Sequence, residues 1–219
     1  MIPRNANPYR FGETADMSAG VRNRVLRNTY WMLAISMVPT IIGAWIGVAM
    51  QFRMPFGAGM SALIYLGIAF ALMFAIEKFK NSGMGVALLL AFTFFMGLML
   101  SRLIGAILGF SNGASLIMMA FGGTGIIFAG MATLATTVKK DVSEGLGKWL
   151  FAGVILLLVA SVANIWLQLP ALMLTISVAA IAIFSAFILV DVQRVVNGGE
   201  TNYIIATLSI YLNLYNVFS

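Results

Sequence analysis

Seven apolar runs, each close to twenty residues long and separated by short polar breaks, organise this chain. They fall at 29–50, 57–77, 84–108, 115–137, 149–168, 171–192 and 203–219. A helix needs about 20 apolar residues to cross the hydrocarbon core of a bilayer, so each run is predicted to be a membrane-spanning helix. The breaks QFRMPF, EKFKNSG, GFSNG, VKKDVSEGLGK, QLPA and NGGET are rich in Gly, Pro, Asn and Ser, which turn the chain between closely packed antiparallel helices. No repeat with a period of 20–50 residues is visible. The simplest architecture is an all-α polytopic membrane protein, a seven-transmembrane-helix bundle over 28–219, preceded by a disordered basic tail over 1–27.

Composition agrees with lipid as the solvent. Of 219 residues, 61% are hydrophobic and 9% charged, against about half and a quarter in soluble domains. The chain has no cysteine and no histidine, which excludes disulfides, thiol catalysis, Cys/His zinc sites and imidazole acid–base chemistry. No cofactor is expected. The first 27 residues carry five arginines and no apolar core, so they do not read as a cleavable signal peptide.

The net charge of +6 is informative through its distribution, which points to membrane topology and not to nucleic acid. Arg4, Arg10, Arg22, Arg24, Arg27, Lys78, Lys80, Lys139, Lys140, Lys148 and Arg194 all fall on one side of the seven-span arrangement, with Arg53 on the other. Cytoplasmic loops carry the excess of Lys and Arg. The N-terminus is therefore expected in the cytoplasm and the C-terminus in the periplasm. Tyr30, Trp31, Trp149 and Tyr203 lie at the inner interface of this scheme and Trp166 at the outer one, as aromatic belts require.

Small-xxx-small patterns allow helix backbones to approach closely. Gly43 and Gly47 in GAWIG, Gly105 and Gly109 in GAILG, and Gly122, Gly123 and Gly125 in FGGTG are expected to serve that purpose, the last cluster having an irregular turn as its alternative. Polar residues inside the spans are few. Asn164 and Gln168 share a helix face and read either as an interhelical hydrogen bond, with Gln168 capping the turn at Pro170, or as part of an ion or solute path. Arg102, near one end of the third span, either snorkels to water or forms an ion pair.

Asp191 is the outstanding acid. It lies about 9 Å of helix from the end of span six at 1.5 Å per residue, and Asn213 lies at comparable depth on the antiparallel span seven. One reading pairs Asp191 with Arg194 at i+3 near the interface. The other buries it against Asn213, the default for intramembrane acids. Burial penalises the charged form of a carboxylate, so Asp191, with Asn213 and Arg194, forms the candidate proton- or ion-sensing group, and Asn164, Gln168 and Asn216 are the candidates for a wider polar path.

The segment NGGETNYIIATLSIYLNLYNVF resembles the C-terminal signature of the Bax inhibitor-1 family, in its bacterial YccA-like branch. VLRNTYWML, FGGTGIIF, TTVKKD and VANIWLQLPAL are similar to the same branch, and the resemblance covers nearly the whole chain after residue 21. It implies a seven-helix membrane fold with a central helix wrapped by the others. Some members are pH-sensitive calcium leak channels in which two aspartates share a proton. The first of these matches Asp191; the second falls at Asn213, so the like-charge coupling of that pair is missing here. Arg102 also departs from the small residue or proline of the family pattern. The branch resembles proteins that restrain the membrane-embedded ATP-dependent protease FtsH and are its slow substrates. Arg22, Arg24 and Arg27 in the cytoplasmic tail are the candidates for engaging that partner, the alternative being a simple topogenic tail.

An enzyme is not expected, since no nucleophile–base pair, metal cluster or paired carboxylate is visible. The reading is a multi-pass protein of the bacterial inner membrane, embedded in lipid, that modulates the FtsH complex, with a pH-sensitive calcium or cation leak through Asp191 as the alternative.

Overall fold

Long unbroken apolar sequence in lipid leaves the backbone one economical solution, because every N–H and C=O must be satisfied internally and the helix does this within a single segment. The computed structural model describes residues 9–219 apart from 53–55 and 139, with side chains from residue 20 onward other than Ala58 and Glu144. Among the described residues all regular structure is helical: α1 (Tyr9–Ala49), α2 (Ala58–Phe79), α3 (Gly83–Leu108), α4 (Gly113–Thr137), α5 (Ser143–Leu167), α6 (Pro170–Val196) and α7 (Tyr203–Phe218). Six of these are long and apolar enough to cross a membrane. α7 is apolar and shorter, at 16 residues, or about 24 Å at 1.5 Å per residue.

α7 is nonetheless the axis of the bundle. Ile204, Ala206, Thr207, Leu208, Ile210, Tyr211, Asn213, Leu214 and Val217 are all buried on it, and it packs against α1, α2, α3, α4 and α6. Leu89 and Phe92 of α3, Ile76 of α2, and Ile188 and Val192 of α6 close the core around it. α5 leans on α6 at the periphery. The outer surface is the inverse of a soluble protein: Trp45, Phe74, Ile126 and Leu156 are each at least 70% exposed, a density of apolar surface that marks a membrane-facing wall.

Two boundaries differ from the sequence reading. α1 begins at Tyr9, so the stretch 9–27 is helical where a disordered tail is expected; residues 1–8 lie outside the described residues. Once the apolar segment has nucleated a helix, each further residue costs little to add, and no proline interrupts the run between Pro8 and Pro39. α5 begins at Ser143, inside the expected loop VKKDVSEGLGK, where the Asp141 carboxylate accepts from the Ser143 amide at 2.9 Å and satisfies one of the orphan donors of the first turn.

The small residues also sort differently. A Cβ on Gly43 would overlap the Phe94 carbonyl oxygen, one on Gly47 the Ser101 side chain, and one on Gly97 the Thr40 carbonyl oxygen. α1 and α3 therefore pack backbone to backbone. A Cβ on Gly105, Gly122, Gly123 or Gly125 would meet nothing within 4 Å, and one on Gly109 would meet only the Ala106 carbonyl of its own helix. Those glycines do not mediate helix approach; the α3 partner of GAWIG is the Thr93, Gly97, Ser101 series instead.

Candidate functional site

The site is built by the α6–α7 hairpin. α6 ends because Gly198 takes φ +79, a left-handed conformation that glycine adopts without steric cost. The turn folds the chain back on the helix end: Asn197 N–H donates to the Gln193 carbonyl at 2.8 Å, and Gly199 and Glu200 N–H donate to the Arg194 carbonyl at 2.8 and 3.1 Å. α7 then starts at a side-chain cap. The Asn202 Oδ1 accepts from the amides of Ile204 and Ile205 at 3.0 and 3.2 Å, the role this residue type plays at helix N-termini.

This antiparallel return brings Asp191 and Asn213 together. The Asn213 Nδ2 donates to the Asp191 Oδ2 at 2.7 Å, and both residues are 8% exposed. A hydrogen bond to an ionised acceptor is about twice as strong as a neutral one, and an amide that supplies it removes part of the cost of burying the acid. Arg194 is exposed, and among the described residues the ion pair is Lys80 with Glu77, not Asp191 with Arg194. The interfacial alternative for Asp191 therefore gives way to the buried acid–amide pair.

The other polar candidates stay apart from it. The Asn164 Oδ1 accepts from the Leu169 amide at 3.0 Å within its own helix end, and Gln168 occupies the left-handed C-cap of α5 at φ 49. Neither bridges helices as expected, because both are used in turning the chain toward Pro170. Asn216 donates to the Leu212 carbonyl one turn back at 2.8 Å. Arg102 is exposed and makes no ion pair among the described residues. Arg22, Arg24 and Arg27 are exposed along α1. No group of three or more His, Cys, Asp or Glu that could hold a metal occurs among the described residues.

Three features escaped the sequence reading. Gln193, 1% exposed, reaches the α4–α5 loop: its Oε1 accepts from Val142 N–H at 3.1 Å and its Nε2 donates to the Lys140 carbonyl at 3.2 Å. Asn202 reaches the α2–α3 loop, donating to the Lys80 carbonyl at 3.0 Å and the Asn81 Oδ1 at 2.8 Å. Deep in the bundle the Tyr211 and Thr40 hydroxyls meet at 2.8 Å, and Thr40 donates to the Thr93 carbonyl at 3.1 Å. Thr93, Gly97 and Ser101 at four-residue spacing were the readable signal for the last; the two amides carried none beyond their polarity. Outside the spans, hydrogen bonds from the Ser143 side chain and amide hold the Asp141 carboxyl below its ordinary range.

The fold and its buried Asp191–Asn213 pair define a class: an all-helical membrane protein organised around a central C-terminal helix that carries a polar partner for an acid. The family described as inhibitor of apoptosis-promoting Bax1 matches residues 22–219. The chain belongs to that family. It is 38% identical over 196 residues to the modulator of FtsH protease YccA of Escherichia coli K12, covering 90% of this chain and 86% of the relative. An uncharacterized membrane protein of Vibrio cholerae is 38% identical over 197 residues, with the same coverage. An uncharacterized protein of Pseudomonas aeruginosa is 36% identical over 194 residues, covering 89% and 85%.

Proposed function

We propose that this protein is a non-catalytic modulator of the FtsH protease complex in the bacterial inner membrane, with its N-terminus in the cytoplasm and its C-terminus in the periplasm. The observation that carries the reading is the 38% identity, over 90% of the chain, to a relative named as a modulator of that protease. α1 supports it physically. Its 41 residues extend about 60 Å at 1.5 Å per residue, twice the ~30 Å hydrocarbon thickness. The polar half carrying Arg22, Arg24 and Arg27 projects beyond the lipid, where a membrane-tethered protease can reach it. Affinity purification from native membranes tests this. The full chain is expected to bring FtsH with it, and a chain with Arg22, Arg24 and Arg27 all replaced by Ala is expected not to; equal recovery from both rejects the projecting segment as the contact.

A second reading, a calcium or other cation leak that responds to protons at Asp191, is favoured by the burial of Asp191 against Asn213. Calcium-loaded liposomes separate the two. A flux that Asp191→Asn alters supports the leak, and a flux equal to that of empty vesicles ends it.

A further inference from the structure

α1 and α4 face each other without touching along most of their length. No backbone approach between them occurs among the described residues, yet a regular stripe on each lines the same cleft: Leu33, Met37, Ala44 and Val48 on α1, and Phe121 and Gly125 on α4. α7 provides the floor through Leu214 and Phe218. At the end nearer the α6–α7 turn, Tyr30 and Phe128 close the cleft edge to face, with ring centroids 5.9 Å apart. The cleft has a volume of about 580 Å³. It runs into the membrane-facing surface, where Ile41, Trp45 and Phe121 are 58%, 71% and 61% exposed.

We infer that this cleft is a binding site for one acyl chain of a bilayer phospholipid. From Tyr30 to Val48 the α1 wall is about 27 Å long at 1.5 Å per residue. At one end the touching Tyr30 and Phe128 rings hold α1 and α4 at side-chain contact, too close for a helix about 10 Å across to lie between them, whereas a single acyl chain is thin enough to enter. The lining chemistry agrees. Thr40 bonds to the Ser36 carbonyl and to Tyr211, and Thr124 to the Ala120 carbonyl at 2.8 Å, so these hydroxyls of the wall ask nothing of a ligand. An empty apolar slot open to lipid forfeits dispersion contacts on one side, and the surrounding chains are the nearest atoms to supply them.

The test uses the full chain in detergent, delipidated and offered dioleoyl-phosphatidylglycerol, with bound lipid counted by native mass spectrometry. The wild-type chain is expected to retain one lipid that the chain-free headgroup, glycerophosphoglycerol, does not displace. Gly125→Leu fills the cleft from a position with open space around its Cβ and is expected to reduce retention at least ten-fold. Gly122→Leu, equally unobstructed on the same helix but not lining the cleft, is expected to leave it unchanged. Ala34→Leu, from the α1 wall, repeats the first test should Gly125→Leu fail to fold. Equal retention by the wild type and the filled variants, equal loss in Gly122→Leu, or displacement by the headgroup alone overturns the assignment.

Discussion

Replacing Asn213 by leucine keeps the branched outline of the side chain and removes the one donor seen on the Asp191 carboxylate, so it tests the acid–amide bond. At 2.7 Å between residues that are each 8% exposed, solvent has little access to take the place of the amide. Hydrogen bonds to charged groups contribute about 1.5–3 kcal/mol net, and leaving the acid unpaired adds the desolvation that the amide had offset. A loss of about 2–3 kcal/mol in unfolding free energy is expected, measured by reversible denaturation in mixed micelles. Asp191→Asn combined with Asn213→Asp then exchanges the two groups across the same gap. If the bond is the source of the stability, the exchanged pair recovers most of the loss and a double-mutant cycle reports coupling of about 1 kcal/mol or more. A destabilisation below about 0.5 kcal/mol in Asn213→Leu, or an exchanged pair no better than either single variant, refutes the reasoning and reduces the contact to packing.

Three further outcomes follow from other contacts. Gly97→Leu places a Cβ on the Thr40 carbonyl and is expected to cost at least the 1–3 kcal/mol of ordinary overpacking, whereas Gly105→Leu, with open space at its Cβ, stays within about 0.5 kcal/mol; the same denaturation assay compares them. Gln193→Leu orphans the Val142 amide and the Lys140 carbonyl, and hydrogen exchange at the α4–α5 loop is expected to speed up before global stability changes. Asp141 is held ionised by Ser143; because its carboxyl is lowered on folding, its contribution is present above the ordinary carboxylate range and disappears as pH falls through the lowered value. Asp141→Asn should therefore lower the melting temperature near neutral pH and leave it unchanged in strong acid.

The hydrophobic pattern made the helices legible because lipid imposes one backbone solution on any long apolar run; the residue types that pack them were less legible. All three glycine motifs looked equivalent, yet only Gly43 and Gly47 meet another helix, since close approach needs a matching series on the partner, here Gly97 and Ser101. Asp191 could be placed at the depth of Asn213 from rise per residue alone, because an antiparallel hairpin with a short turn leaves little freedom in register. Gln168 sits at the expected cap before Pro170, but the interhelical bond expected of Asn164 and Gln168 is not formed, for the opposite reason. A polar residue at a helix end has local carbonyls and amides to satisfy, and these outcompete a distant helix.

That distinction explains how α7, the shortest of the seven helices, becomes the core of the bundle. What its hairpin reaches holds it in place. From the α6–α7 unit, Gln193 ties down the α4–α5 loop, Asn202 ties down the α2–α3 loop while capping α7, and Tyr211 joins α1 and α3 through Thr40 and Thr93. Between lipid-immersed helices the hydrophobic effect gives no net pull, so packing and such bonds carry association. Asn213 belongs to the same set, since it fixes the register of α7 on α6 through Asp191. A change in the charge state of that acid acts on the bond that positions α7, and every loop on that end of the bundle is tied to the same hairpin. Asp191, through Asn213, and the α2–α3 and α4–α5 loops, through Asn202 and Gln193, are thus all bonded to one hairpin.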